Sequence, residues 1–279
     1  MASCFLFELL CYVLSKNVND NVESIFGITY LKDLNLHFLQ IIIQSLESYS
    51  FRKGRDSMND WENAIKSLSK ITIHSNPKNQ PVTIFGVPDD LKCIGVGTDA
   101  AVFQSPRTPH FAYKKYATDK KEKVKSEAKV YEQLGASPYF STCYHATDDL
   151  LVLSYEEGPT LFDCILQGIH IPQQVILDVE EAREYVRSKG LNPRDIHLKN
   201  ILLQQGRAKI LDVSEYIQPG NDYRWEHLKR GYELYYHLID GSTVPYWLAE
   251  TVRKWYNQRK NHFSFEEFSR IVLNLLYKK

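Results

Sequence analysis

Residues 191–203, LNPRDIHLKNILL, constrain this 279-residue chain more than any other stretch. The polar part holds Asp195 and Asn200 five residues apart, and the end is the apolar run Ile201-Leu202-Leu203. Two polar residues at that spacing can reach one cavity from a tight turn while the apolar run anchors the turn in a core. Twelve residues beyond Asn200, AKILDV closes a second apolar strand on Asp212. The two strands flank Gln204 to Arg207, so Asn200 and Asp212 sit on adjacent strand ends.

The rest of the chain divides around this hairpin. WENAIKSLSKI reads as a short helix, and PVTIFGV and LKCIGVG as strands. AAVFQSP and HFAYKKYA read as two strands joined by a turn over Pro106 to Pro109. KKEKVKSEAKVYEQL is a helix with Val124, Ala128, Tyr131 and Leu134 on one face, and LLVLSYEEG is a strand ending in a polar linker. Mainly helices follow: TLFDCILQG, PQQVILDVEEAREYVRSKG, YRWEHLKRGYELYYHLI, VPYWLAETVRKWYNQ and SFEEFSRIVLNLLYK. A strand-rich half followed by a helix-rich half predicts an α+β, bilobal layout.

Composition narrows the partners. The 34 basic and 34 acidic residues cancel, which leaves no global field for nucleic acid or an anionic membrane. The five cysteines are scattered without a CxxC pair or His cluster, so free thiols in a reducing cytoplasm are expected. The apolar amino terminus, MASCFLFELLCYVLSK, carries Glu8 and is shorter than the roughly 20 residues of a membrane span. All 11 prolines lie at Pro77 or later, so the first 76 residues differ in character. If the source is bacterial, the codons of Arg52-Lys53-Gly54 form a purine-rich tract upstream of Met58, where a ribosome-binding site sits. Residues 1–57 are therefore expected to be either read-through before a start at Met58 or a helical extension. Residues 58–87 then lead into two parts, 88–156 and 157–279.

IGVGTDAAVF places Gly95 and Gly97 where backbone N–H groups can approach phosphate oxygens. GxGxxA also fits a dinucleotide-binding turn, but such a turn opens a helix, and here a strand and a proline turn follow. In FAYKKYA, period-two alternation puts Ala112 and Lys114 on one face and Lys115 on the other. A lysine under a glycine loop needs a carboxylate to orient it, and Glu127 is the candidate. Lys120 and Lys121 read as an ordinary solvated face. Asn200 and Asp212 suit a magnesium ion that bridges phosphates, which leaves Asp195 to orient and deprotonate an attacking hydroxyl.

From about Leu91 to the carboxyl terminus these motifs, in this order, resemble the protein kinase superfamily, with a small antiparallel-sheet lobe and a reduced helical lobe. Ile94, Gly95, Val96, Gly97, Thr98, Asp99, Ala100 and Val102 are similar to the nucleotide-covering loop, and Ala112 and Lys114 to the strand with the ATP-positioning lysine, with Glu127 as its helix partner. The resemblance implies Leu153 as gatekeeper, Ser154, Tyr155 and Glu156 as the adenine-binding segment, and Leu202 beneath the adenine ring. It also implies Asp195 as catalytic base, Lys199 on the γ-phosphate, and Asn200 and Asp212 as metal ligands. WEHLKRGYELYYHLIDG resembles the buried helix that supports the catalytic loop.

The chain departs from the pattern at Pro193, Val213 and Ser214, where His, Phe and Gly usually stand. His197, counted with Asp195 and Lys199 among the catalytic positions, makes the loop similar to aminoglycoside and choline phosphotransferases. About ten residues separate Asp212 from the next helix, too few for a regulated activation segment with a peptide-docking platform. Arg194 is expected to cap a carbonyl or pair with an acid such as Glu215. The implied activity is ATP- and magnesium-dependent phosphoryl transfer to a protein hydroxyl. A small-molecule acceptor, and an ATP-binding scaffold without turnover, are the alternatives.

Overall fold

In the computed structural model, which describes residues 61–258 and 264–277, the first element is a helix over residues 61–68 (α1). All described residues belong to one compact unit, Ser57–Lys279. The readings for residues 1–57 and for a start at Met58 lie outside the described residues. Ala64 and Leu68 of α1 are buried against a two-stranded sheet of β1 (Thr72–His74) and β2 (Thr83–Phe85).

The central feature is a five-stranded antiparallel sheet. Its strands are β3 (Lys92–Val96), β4 (Ala100–Ser105), β5 (Thr108–Tyr116), β6 (Cys143–Ala146) and β7 (Leu150–Ser154), in the order β3-β4-β5-β7-β6. Alternation decides what each face buries. Ala101, Phe103, Phe111, Tyr113, Leu150 and Val152 join α1, β1 and β2 in one core, while Ala100, Ala112, Leu151 and Leu153 join a second core with the helices. The helix α2 (Lys121–Leu134) closes that second face. Its Val124, Val130 and Leu134 are fully buried, each stabilising the fold by about 1.5–3 kcal/mol.

After β7 the chain passes Gly158, whose φ of +133° no L side chain adopts readily. An added Cβ there would stand 2.5 Å from the Leu203 carbonyl oxygen, so the linker lies flat on the next hairpin. The helix α3 (Leu161–Gln167) starts on a capping box in which Thr160 and Asp163 satisfy each other's backbone N–H groups. The helix α4 (Gln173–Ser188) packs on the hairpin of β8 (Ile201–Gln204) and β9 (Arg207–Ile210). Buried Asp178 fastens that contact, accepting from the Ala208 N–H at 2.8 Å and from Arg207 Nε at 2.8 Å. Three helices complete the described chain: α5 (Arg224–Tyr235), α6 (Tyr246–Gln258) and α7 (Phe265–Tyr277).

The α+β class and the strand-then-helix order agree with the sequence. Three local differences stand out. The β4–β5 turn is two residues, Pro106 and Arg107, and Pro109 lies inside β5. It is tolerated because pairing with β7 begins later, at Phe111. Strands β1 and β6 were not anticipated, since they are three and four residues long and β6 is exposed at three of its positions. Gly95 and Gly97 do not belong to the glycines with positive φ. Both lie in the β3–β4 hairpin, where Gly95 faces Val102 and the Gly97 N–H donates to Ala100 at 2.8 Å.

Candidate functional site

Strand register places the first charged group. Lys114 lies between Val102 on β4 and Leu151 on β7, on the same face as Ala112 and toward α2. Its Nζ donates to both oxygens of Glu127, at 2.9 and 2.8 Å, and stands 3.3 Å from Oδ1 of Asp212. Glu127 is fully buried on α2, and Tyr116 also donates its hydroxyl to it. Lys115 points the other way and pairs with Asp149 at 2.7 Å. The expected difference between the two lysines is therefore present in the geometry.

Burial alone would lower Lys114, but Asp212 and Glu127 outweigh it and hold the ammonium well above the usual lysine range. Burial pushes Glu127 up to about 7 against the pull of Lys114. For Asp212 burial acts upward too, yet the Lys114 ammonium and the Ser214 N–H, donating at 3.0 Å, bring it down to about 2. Asp212 is thus a carboxylate at neutral pH, with 35% of its side chain open to solvent and so to a ligand.

The hairpin brings Asn200 to the same end. Ile201 pairs with Ile210, and the Leu211 N–H donates to the Asn200 carbonyl at 2.9 Å, so Asn200 and Asp212 leave the ladder together. Asn200 Nδ2 donates to the Asp195 carbonyl at 3.2 Å. One carboxylate and one amide oxygen are hard donors, and no group of three His, Cys, Asp or Glu side chains able to hold a metal occurs among the described residues. That donor set fits magnesium, which completes its shell with phosphate oxygens and water, and not a metal caged by protein alone.

Asp195 has a left-handed φ of 53°. Its N–H donates to Asp222 Oδ2 at 2.9 Å, and Oδ1 of its carboxylate is paired with Nη1 of Arg224. Arg194 donates to the Pro219 carbonyl, the first of its two expected roles. Asn192 Nδ2 donates to the carbonyls of Gln218 and Gly220, so the segment after Asp212 is folded back on the loop that carries Asn192 to Asp195. His197 is held neutral, with a pKa down at about 4, by burial and by the nearby charge of Arg224. Its Nδ1 accepts from the Lys199 N–H at 3.3 Å, which fits a turn-forming role. Lys199 itself ion-pairs with Glu250 of α6 at 3.0 Å and covers the ring of Phe162.

The remaining expected residues fall into two groups. Ala112 and Leu153 are paired neighbours in the sheet, Val102 packs on their core, and Leu202 is buried on β8. Ile94 sits at a register shift in β3, and Ile94 and Val96 are exposed. The Tyr155 N–H donates to the His110 carbonyl, and Ser154 Oγ to Glu156 at 2.6 Å. Glu156 also faces Lys209 at 3.7 Å. Thr98 leans on Asp99, which holds Lys123 at 2.7 Å and Lys120 at 3.7 Å, so Lys120 is not simply solvated. A cavity of about 490 Å³ lined by Arg183, Arg187, Asn192, Pro193, Pro219, Gly220 and Asn221 contains none of the expected residues. The charged cluster of Lys114, Glu127 and Asp212 lies apart from that void.

Asp222, Arg224 and Glu250 were missed in the sequence. NDYRW offered a signal for the first two, because an acid just ahead of a helix accepts from its free N–H groups, as Asp222 does from Arg224 N at 3.1 Å.

No family model matches the chain. A curated protein of Bacillus subtilis (strain 168), named "Putative serine/threonine-protein kinase YrzF", is 31% identical over 188 residues, which is 63% of this chain and 87% of that protein.

Proposed function

The chain belongs to the protein kinase-like superfamily, and we propose that it is an ATP- and magnesium-dependent phosphotransferase of the serine/threonine protein kinase type. In this reading the fold is bilobal, with the five-stranded sheet as one lobe and the helices after Gly158 as the other, and the enzyme works in the cytoplasm. The observation that carries it is Lys114 bound at once to Glu127 and Asp212, residues that are 13 and 98 positions away in the chain.

Each residue then has one task. Lys114 binds the α/β-phosphates, oriented by Glu127, while the β3–β4 hairpin covers the nucleotide. Leu153, Ser154, Tyr155 and Glu156 border the adenine, above Leu202. Asn200 and Asp212 hold magnesium, which offsets phosphate charge when bound. The acceptor oxygen forms the new bond to the γ-phosphorus, the bridging O–P bond breaks to leave ADP, and the acceptor proton goes to Asp195. Positioning and charge neutralisation supply most of the rate.

A second reading, transfer to a small molecule, draws support from the segment between Asp212 and α5. Gln218, Pro219, Gly220 and Asp222 of that segment are engaged by Asn192, Arg194 and Asp195, which leaves little of it to dock a peptide.

The test incubates the full chain with γ-labelled ATP and magnesium, alone and with cell extract, beside Asp212→Ala. Labelled protein that disappears in the variant supports the first reading, and label in a small-molecule fraction the second. Absence of turnover alongside ATP-dependent thermal stabilisation leaves a scaffold.

A further inference from the structure

A carboxylate that accepts a proton from a hydroxyl must present one oxygen in a defined direction, and Asp195 stands in a loop at a φ of 53°, a backbone conformation that residues other than glycine seldom adopt. Here the holding groups come from the start of α5, 27 and 29 residues further along the chain. Asp222 accepts from the Asp195 N–H through Oδ2 at 2.9 Å and from the Arg224 N–H through Oδ1 at 3.1 Å. Arg224 Nη1 pairs with Asp195 Oδ1, and its Nε faces Asp222 Oδ2 at 3.8 Å. The helix start is itself anchored, because Trp225 is buried and its Nε1 donates to Glu180 at 2.5 Å.

We infer that Arg224 is a positioning residue that fixes the carboxylate of Asp195 for the acceptor hydroxyl, from a helix terminus and not from a mobile segment. This rests on Asp195 being the base in the function proposed above. The planar guanidinium suits the task because it holds a carboxylate in a defined direction, which an ammonium does less well. The consequence is a base that needs no modification to be ordered: its clamp is present in the unmodified chain.

The experiment compares the full-length wild type with Arg224→Gln and Arg224→Lys. Melting with and without magnesium and ATP shows that both variants fold and bind nucleotide. Turnover, read as ADP release, should fall on the order of 100-fold in Arg224→Gln with the KM for ATP unchanged, because misplacing a catalytic group costs about that much. Arg224→Lys should recover part of the loss. Amide hydrogen exchange across residues 193–200 should quicken in Arg224→Gln. Unchanged turnover overturns the inference, and raised turnover overturns it by showing that Arg224 blocks the base. If the wild type turns nothing over, the proposed function fails, and the exchange data still decide: unchanged protection of residues 193–200 removes the clamp.

Discussion

Replacing Lys114 by methionine removes an ammonium and leaves most of the stem, so it isolates the charge. Glu127, fully buried, then keeps the Tyr116 hydroxyl but loses the Lys114 ammonium, and Asp212 loses its ion-pair partner. Stranding one member of a buried pair costs about 3–5 kcal/mol. Glu127 can avoid part of this by taking up a proton. With its pKa already at about 7, that uptake costs little at pH 7 and about 1.4 kcal/mol more for each pH unit above it. A carboxyl raised from 4.5 gives stability present at acid pH and lost as pH rises through the folded value. In the wild type the loss ends near pH 7; in the variant it continues upward, because the folded carboxyl stays protonated. The expected destabilisation is about 2 kcal/mol at pH 7, from the lost charge-assisted hydrogen bonds, and about 4 kcal/mol at pH 8.5. Urea unfolding followed by tryptophan fluorescence measures both. Lys115→Met should cost about 1 kcal/mol or less at either pH, since Asp149 is 38% exposed. In a Glu127→Gln background the pH dependence of Lys114→Met should vanish. A loss that is the same at both pH values, or equal for the two lysines, would refute the reasoning.

Two further outcomes test the loop and the linker. His197, held at about 4 by burial, is neutral when folded, so stability present above pH 6.5 should drain away by about 1.4 kcal/mol per unit as pH falls toward 4. Glu127 contributes the opposite slope over the same range, so the test is the stability difference between His197→Asn and the wild type in urea unfolding from pH 7 to 5. It should shift by about 1.4 kcal/mol per unit below pH 6.5 in favour of the variant, and a difference that does not vary with pH would show that His197 titrates normally. Gly158→Ala should cost about 3 kcal/mol or more because its Cβ meets the Leu203 carbonyl, whereas Gly206→Ala, also at positive φ but with open space around it, should cost about 1 kcal/mol. Equal melting temperatures for the two variants would show that the linker is not pressed on the hairpin.

What could be read from sequence followed local rules. The separation of Lys114 from Lys115 needs only period-two alternation, and the β8–β9 hairpin needs only two apolar runs around Gln205-Gly206. Strand β6 has no alternation to read because three of its four residues are exposed, and its place beside β7 is set by pairing. Lys199 was expected on a phosphate and is found on Glu250, 51 residues away, a contact that depends on where α6 lands. The Arg224–Asp195 pair is hidden for the same reason: nothing in either residue's neighbourhood reports a partner 29 positions distant. The glycines of the β3–β4 hairpin were legible as to place but not as to cause, since their backbone is ordinary and what they provide is the absence of a side chain.

Asn200 and Asp212 are joined by one short hairpin, while Lys114 reaches Asp212 across 98 residues of chain. Closing the first loop costs far less entropy than closing the second. A fluctuation that lifts the five-stranded sheet away would therefore part lysine from aspartate and leave the two oxygen-bearing side chains together. Under the proposed function, the grip on a nucleotide would be lost in this way without dismantling the seat for its counter-ion.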